Sequence, residues 1–97
     1  MAIHLGLIIT EILLNIIKHA DTKQKGFYIE ISLRSYQQQM LLKIGNNESG
    51  FDFEKGLKKN HLGLSLIKDL CGDIGIKAQY PDGKHSFYQL IISPVAQ

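Results

Sequence analysis

The feature that most constrains the fold is a nearly uninterrupted apolar run close to the start of the chain. From Ile3 to Ile17 the sequence is mostly Ile and Leu and contains no proline, but it includes Glu11 and Asn15. A membrane span needs about 20 apolar residues and rarely tolerates a carboxylate. The basic segment and the small-residue cleavage site of a signal peptide are also missing around the run. We therefore predict a buried core helix from about Ile3 to Ala20.

The composition predicts one globular domain over residues 1–97. Hydrophobic residues make up 44% of the chain and charged residues 21%, which is typical of an ordered globular protein. The formal net charge of +2 argues by itself neither for nor against nucleic acid, which usually binds a clustered basic face. We expect no nucleic-acid partner and no membrane contact by this domain. The single cysteine, Cys71, favours a reducing cytoplasmic location.

Two segments after the first helix predict an antiparallel hairpin. Residues 27–34 alternate between apolar and polar side chains, which indicates a half-buried strand. Its predicted inner face consists of Phe27, Ile29, Ile31 and Leu33. A turn near residues 35–37 leads to a second strand, whose predicted inner face consists of Met40, Leu42 and Ile44.

The second half of the chain predicts a long loop, a helix and another hairpin. Residues 45–60 are rich in Gly, Asn, Ser and charges, and a loop of that length in a small domain is usually functional or mobile. Residues 62–74 have helical spacing, with Leu66, Leu70 and Ile74 on one stripe and Ile67 beside it. Strands are expected at residues 75–80 and 86–93, joined by a turn at Pro81, Asp82 and Gly83. This order predicts an α+β fold, a two-layer sandwich with a mostly antiparallel sheet and helices on one face.

A polar stripe on the apolar helix is the first candidate site. Glu11, Asn15 and Lys18 share one helix face, with His19 beside them. A carboxylate among Ile and Leu is costly to bury without a partner, so this face is expected to open onto a polar cleft. The alternative is an ordinary solvated helix edge, because short motifs of this kind often match by chance.

Two other segments offer polar backbone or side-chain groups. Gly63 stands near the start of the second helix, where unsatisfied N–H groups attract anions and glycine allows close approach. The alternative is a plain helix start capped by Asn60 or Ser65. Asn46 and the residues after it leave the end of a strand, where asparagine either reads a ligand or simply makes a turn.

The order of these motifs resembles the ATP-binding domain of sensor histidine kinases, which has the Bergerat (GHKL) fold. The segment GLIITEILLNIIKHA resembles the N-box of that family, and NNESG occupies the place of its D-x-G-x-G box. The segment HLGLSLIKDL resembles the family's second glycine box, and DGKHSFYQLIISP resembles its closing strand. The resemblance covers nearly the whole chain, although the family's first strand and the helical hairpin with the phosphoacceptor histidine are not recognised in it. We expect the chain to be a fragment of a longer protein.

The resemblance implies roles for the residues of the first helix. Asn15 would coordinate Mg²⁺, a cation that prefers oxygen ligands. Glu11 would orient a metal-bound water as the family's acid, and Lys18 and His19 would lie near the phosphates. The start of the second helix would contact the phosphates through Leu62, Gly63 and Leu64.

The resemblance also implies a base site and a lid. Asn46 would contact the adenine amino group, Gly50 would pack against the base, and Ser86 would supply the hydroxyl that supports the adenine site. Residues 51–60 would form the ATP lid. Its basic side chains, expected to approach the phosphates, are Lys55, Lys58 and Lys59.

The function implied is that of a protein-histidine kinase in a two-component system. The domain would bind ATP and Mg²⁺ and supply the γ-phosphate to a histidine on a separate dimerisation domain, which passes it to a response regulator. Two positions depart from the family: Asn46 replaces an Asp and Glu48 replaces a Gly. Loss of the charge at Asn46 predicts about tenfold weaker adenine binding.

Two alternatives to a working kinase domain follow from the same residues. With both Asn46 and Glu48 changed, a nucleotide-free module that serves as a docking or phosphotransfer scaffold is a second hypothesis. An unrelated small interaction domain is a third, but it requires three ordered motif matches to be coincidental.

Overall fold

Three helices and four strands make up the described part of this computed structural model, which comprises residues 2–20, 23–48, 50–59 and 62–93. In chain order they are α1 (Ala2–His19), β1 (Ile29–Tyr36), β2 (Gln39–Asn46), α2 (Phe53–Lys58), α3 (Leu62–Asp73), β3 (Lys77–Gln79) and β4 (Phe87–Ile92).

The four strands form one antiparallel sheet in the order β1-β2-β4-β3. Ile44 on β2 pairs with Ile31 on β1 and with Tyr88 on β4, so these three side chains lie on the same face. The same face carries Leu42 and Leu90. The predicted α+β class with a mostly antiparallel sheet is therefore confirmed.

The core lies between that sheet face and the two long helices. α1 contributes Ile8 and Ile12, which are fully buried, and α3 contributes Leu64 and Ile67. Together with the inward residues of β2 and β4 they form one hydrophobic cluster. Burial of such side chains contributes about 1.5–3 kcal/mol each, which fixes α1 and α3 side by side over the central strands.

Several apolar residues predicted to be buried are exposed instead. Ile31 and Leu33 point to the helix side of the sheet but are 55% and 59% exposed, because β1 is the edge strand and α1 packs against its neighbour β2. On α3 the buried stripe runs through Leu64 and Ile67, and Leu66 is 39% exposed. α1 also has an exposed apolar side, formed by Ile3, Leu7, Leu14 and Ile17.

The segment predicted as a long loop contains the short helix α2. Asp52 is its N-cap and accepts a 3.1 Å hydrogen bond from the Lys55 backbone N–H. Phe53 is fully buried and stacks on Tyr80 with 4.1 Å between ring centroids. Backbone hydrogen bonds also join Gly50 and Phe51 to Gly83, so the segment is attached to the β3–β4 turn.

None of the described helices, α1 included, is both long enough and apolar enough to cross a membrane.

Candidate functional site

Two neighbouring cavities meet at the C-terminal half of α1, where both are lined by Asn15 and His19. The first, here called the loop cavity, has a volume of ≈ 270 Å³ and is lined on one side by the loop that follows β2. The second, here called the helix cavity, has a volume of ≈ 240 Å³ and lies between α1 and the start of α3. A ligand with two chemically different ends could therefore occupy both cavities by passing Asn15.

Asn15 is held by a hydrogen bond that crosses from α1 to β4. Its amide nitrogen donates to the Tyr88 hydroxyl oxygen over 2.7 Å, and both residues are buried. Burial is the main reason that the pKa of Tyr88 lies well above its usual range, so the hydroxyl stays neutral. A neutral hydroxyl is a good acceptor for the Asn15 amide, and the pairing fixes the orientation of that amide.

The carbonyl oxygen of Asn15 is left to face the cavities. Among the described residues it has no hydrogen-bond partner. Every fully buried side-chain N or O atom of the described residues has a hydrogen-bond partner. Because this oxygen has none, it is not fully buried. Since Asn15 is only 9% exposed and lines both cavities, its oxygen retains access to solvent through them. An amide oxygen placed in this way is an available ligand for a hard cation.

The helix cavity brings together the predicted acid Glu11, the lysine expected near the phosphates and the start of α3. Glu11 and Lys18 line it from α1, and the α3 side is formed by Leu62, Gly63 and Leu64. A Cβ atom on Gly63 would lie 3.2 Å from Oε1 of Glu11, so glycine leaves room for that carboxylate. The first backbone N–H groups of an α-helix have no acceptor within the helix and are available to an anion.

The loop cavity is lined by the predicted base-site residues Asn46, Gly50 and Ser86. The Ser86 hydroxyl donates to the Asn46 carbonyl oxygen over 2.6 Å, which fastens the end of β2 to the start of β4. The Asn46 side-chain oxygen accepts the backbone N–H of Glu48 over 2.8 Å and so shapes the loop. Glu48 lines the cavity as well.

Gly45 allows the strands that carry Asn46 and Ser86 to approach so closely. A Cβ atom at Gly45 would lie 2.5 Å from Cγ of Phe87 and 2.6 Å from the Ser86 carbonyl oxygen. Both distances are far below normal contact, so any larger residue would push β2 and β4 apart next to the cavity.

An aromatic contact between α1 and the loop after β2 lines the loop cavity. The His19 and Phe51 rings stack with their centroids 5.3 Å apart and an interplanar angle of 26°. Both residues line the cavity, together with Pro81. Phe51 therefore joins the loop to α1 at the wall of the cavity.

Every site residue expected from the sequence lines one of these two cavities, but the lysines of the expected lid do not. Lys55 and Lys58 lie on α2, and Lys59 is the C-cap of that helix. The buried side chain of Phe53 anchors α2, and none of the three lysines lines either cavity. Asn60 lies outside the described residues. The sequence reasoning missed Tyr88 as a site residue, although a tyrosine at an inward position of a strand signals a buried hydrogen-bond partner.

Comparisons with known proteins were made on sequence and on structure. No protein-family model and no curated protein matches the sequence. The histidine kinase domain of a blue-light activated histidine kinase from Erythrobacter litoralis superposes with a TM-score of 0.75 over 92% of this chain, at 16% identity. The Acinetobacter baumannii histidine kinase AdeS superposes with a TM-score of 0.70 over 93% of it, at 24% identity. The chain has the fold of histidine kinase domains. It spans 45% of each of those two chains.

Proposed function

We propose that this chain is the nucleotide-binding domain of a sensor histidine kinase. It binds the Mg²⁺ complex of a purine nucleoside triphosphate and presents the γ-phosphate to a histidine on a separate dimerisation domain, which then supplies a response regulator. The observation that supports this most strongly is Asn15, which lines both the loop cavity and the helix cavity and donates its amide nitrogen to Tyr88, so that its carbonyl oxygen is left for a ligand. The proposal places the domain in the cytoplasm, where nucleoside triphosphates are available.

The arrangement suits phosphoryl transfer, in which a protein mainly positions the phosphates and stabilises charge. The base would lie in the loop cavity and the phosphates in the helix cavity. Backbone N–H groups at the start of α3 would bind phosphate oxygens, and Lys18 would add a positive charge. Glu11, on the same wall, would orient a water molecule or a group that donates a hydrogen bond to the phosphates.

The donor atoms present fit Mg²⁺. The described residues contain no group of three or more His, Cys, Asp or Glu side chains that could hold a metal ion. A cation at Asn15 would therefore take most of its ligands from phosphate and water, which is how Mg²⁺ usually binds beside a nucleotide. When bound, Mg²⁺ would offset the phosphate charge, and Asn15 would set its position.

A nucleotide-free scaffold is the competing function, and Glu48 is the observation that favours it. Glu48 is an acidic residue on the wall of the loop cavity, where its charge would oppose the binding of an anionic ligand nearby. A scaffold does not, however, require a buried asparagine that lines two cavities or a glycine against Glu11 at the α3 start. These features favour a nucleotide-binding domain.

Isothermal titration with non-hydrolysable ATP and GTP analogues, with and without Mg²⁺, tests the proposal. Circular dichroism on the same sample establishes that the chain is folded. Saturable binding that strengthens with Mg²⁺ is the expected result. A folded chain that binds neither analogue at millimolar concentration contradicts the proposal and leaves the scaffold function.

A further inference from the structure

The strand β1 lies at the edge of the sheet and has one free side. It is 8 residues long and pairs with β2 without a bulge from Ile29 to Tyr36. Among the described residues, no strand pairs with its other side. Edge strands are usually kept from pairing by proline, lysine, a bulge or an inward-pointing charge. β1 contains neither proline nor lysine, so its free side can accept another strand.

The backbone groups of alternate residues face that free side. The Asn47 N–H donates to the Tyr28 carbonyl oxygen over 3.4 Å, which continues the pairing of the two strands and turns the Tyr28 carbonyl towards β2. Backbone groups along a strand face its two sides alternately. The N–H and C=O groups of Ile29, Ile31 and Leu33 therefore face away from β2, where no described strand takes their hydrogen bonds.

Both faces of β1 carry side chains that other described residues leave uncovered. On the helix side of the sheet, Ile31 and Leu33 are 55% and 59% exposed. On the opposite side, Glu30 and Arg34 are exposed and form no ion pair with a described residue. They are too far apart to pair with each other, because four residues of an extended strand span about 13 Å. The apolar pair and the charged pair are thus available to a second strand.

A second copy of β1 complements all four side chains in one register. When two antiparallel copies are centred on Ser32, Glu30 of each copy lies opposite Arg34 of the other, and Ile31 lies opposite Leu33. The residues whose backbone faces the free side are then opposite each other, so the strands would exchange about eight backbone hydrogen bonds. Centring the pair on Ile31 or Leu33 instead removes both contacts between opposite charges. The charges therefore select one register.

We infer that β1 is a dimerisation strand, through which two copies of this chain join their 4-stranded sheets into one continuous sheet. The two-fold axis passes through Ser32, and the interface is isologous because each copy contributes the same strand. Glu30 and Arg34 meet at the non-hydrogen-bonded positions, where cross-strand side chains are closest. No residue of β1 lines the loop cavity or the helix cavity, so both stay open in the dimer. The inference goes beyond the proposed function and does not depend on it.

The exposed apolar side of α1 is the competing surface for a second copy. Its residues would also lose exposed apolar area on dimerisation; they are Ile3, Leu7, Leu14 and Ile17. The backbone groups in the middle of a helix are already hydrogen-bonded within it, however. Only β1 combines an unpaired backbone with apolar and oppositely charged side chains that match a second copy.

Sedimentation velocity of the unmodified chain over a range of concentrations tests dimerisation. We expect a monomer of 10.9 kDa in dilute solution. A species of twice that mass should dominate at about 100 µM, because an interface of one strand per copy is small. A folded chain that remains monomeric at about 1 mM overturns the inference, and the free side of β1 would then be left to a strand of another protein.

Exchange of the two charges tests the register. Glu30→Arg and Arg34→Glu each place like charges opposite one another, so each variant alone should dimerise at least about tenfold more weakly. An equimolar mixture of the two variants restores both pairs of opposite charges and should form a mixed dimer about as stable as the unmodified one. Circular dichroism establishes that both variants are folded. A mixture that dimerises no better than its components overturns the inference.

A lysine substitution distinguishes β1 from the competing surface on α1. Ile31→Lys places a charge on the helix side of β1 and should weaken the dimer at least about tenfold. The matched control is Ile17→Lys, the same change at a residue of α1 that is also 55% exposed. The control should leave dimerisation unchanged. Weakening by Ile17→Lys that equals or exceeds that by Ile31→Lys would assign the interface to α1 and overturn the inference.

Discussion

The side-chain amide of Asn15 donates a 2.7 Å hydrogen bond to the hydroxyl of Tyr88, which joins α1 to β4 beneath the two cavities. This contact decides which end of the amide faces the cavities. With the nitrogen committed to Tyr88, the oxygen is available to a cation. In the proposed function, Tyr88 is thus a positioning residue that acts through Asn15.

Replacement of Tyr88 by phenylalanine tests that role. Tyr88→Phe removes the acceptor and leaves the buried Asn15 NH₂ group unpaired, so we expect a loss of about 1–3 kcal/mol in the free energy of unfolding. The amide is then free to turn, and the gain in nucleotide affinity on adding Mg²⁺ should shrink. Urea denaturation and titration with and without Mg²⁺ measure the two effects.

The matched control for this substitution is Tyr80→Phe. It deletes a hydroxyl from the same aromatic cluster, in which the Tyr80 and Tyr88 ring centroids are 6.2 Å apart. The control should leave the Mg²⁺ dependence as in the unmodified chain. An equal loss of Mg²⁺ dependence in both variants would show that the effect comes from the packing of the cluster.

Removal of the Asn15 side chain should separate metal-assisted binding from binding without metal. For Asn15→Ala we expect affinity in the presence of Mg²⁺ to fall by about tenfold to a hundredfold, the usual cost of losing one interaction with a charged group. Affinity in the presence of a chelator should change much less. Parallel titrations measure both values in one variant, and equal losses in the two conditions would remove Asn15 from the metal site.

Gly45 is expected to be intolerant of a side chain. In Gly45→Ala the new Cβ atom would lie 2.5 Å from the Phe87 ring and 2.6 Å from the Ser86 carbonyl oxygen. We therefore expect the free energy of unfolding to fall by about 1–3 kcal/mol. Gly72→Ala is the control, because no atom lies within 4 Å of a Cβ built there. Alanine in the helix should stabilise by up to about 1 kcal/mol. Thermal denaturation of both variants decides the matter, and similar melting temperatures would contradict the close approach of β2 and β4.

Asp82 should contribute to stability only above strongly acidic pH. Hydrogen bonds from the His85 backbone and side chain and from the Lys84 backbone lower the pKa of Asp82 from 3.8 to about 2. Because the folded-state pKa is the lower one, this contribution is fully present above about pH 4 and is lost as the pH falls towards 2. Asp82→Asn should therefore show a flatter decline in stability over this interval, as measured by urea denaturation at several pH values. An unchanged decline would contradict the assignment.

The sequence predicted those parts of the fold that depend on local pattern. The apolar run predicted α1, and its one polar stripe placed Glu11 and Asn15 on the face that opens to the cavities. Period-two alternation predicted the strands, but it did not reveal that β1 is an edge strand. Burial of Ile31 depends on whether a helix lies above it, and this is a property of the topology.

The chemistry of the candidate site was less accessible from sequence. The short helix α2 was missed, although Asp52 lies directly before it and aspartate is a preferred N-cap residue. The sequence predicted that Asn46 would contact the adenine amino group, but it could not show what else the Asn46 side chain contacts. The contacts of an amide depend on its neighbours in space, and here the Asn46 oxygen accepts a hydrogen bond from the Glu48 N–H.

The position of the cation relative to Asn15 is the most direct test of the central claim. Mn²⁺ can replace Mg²⁺ and broadens nearby NMR signals, so we would titrate it into the ¹⁵N-labelled chain with a bound non-hydrolysable nucleotide. The account predicts that the side-chain NH₂ signals of Asn15, assigned with the aid of Asn15→Ala, disappear at the lowest Mn²⁺ concentrations. Sharp Asn15 signals when the bound nucleotide is saturated with Mn²⁺ would contradict it.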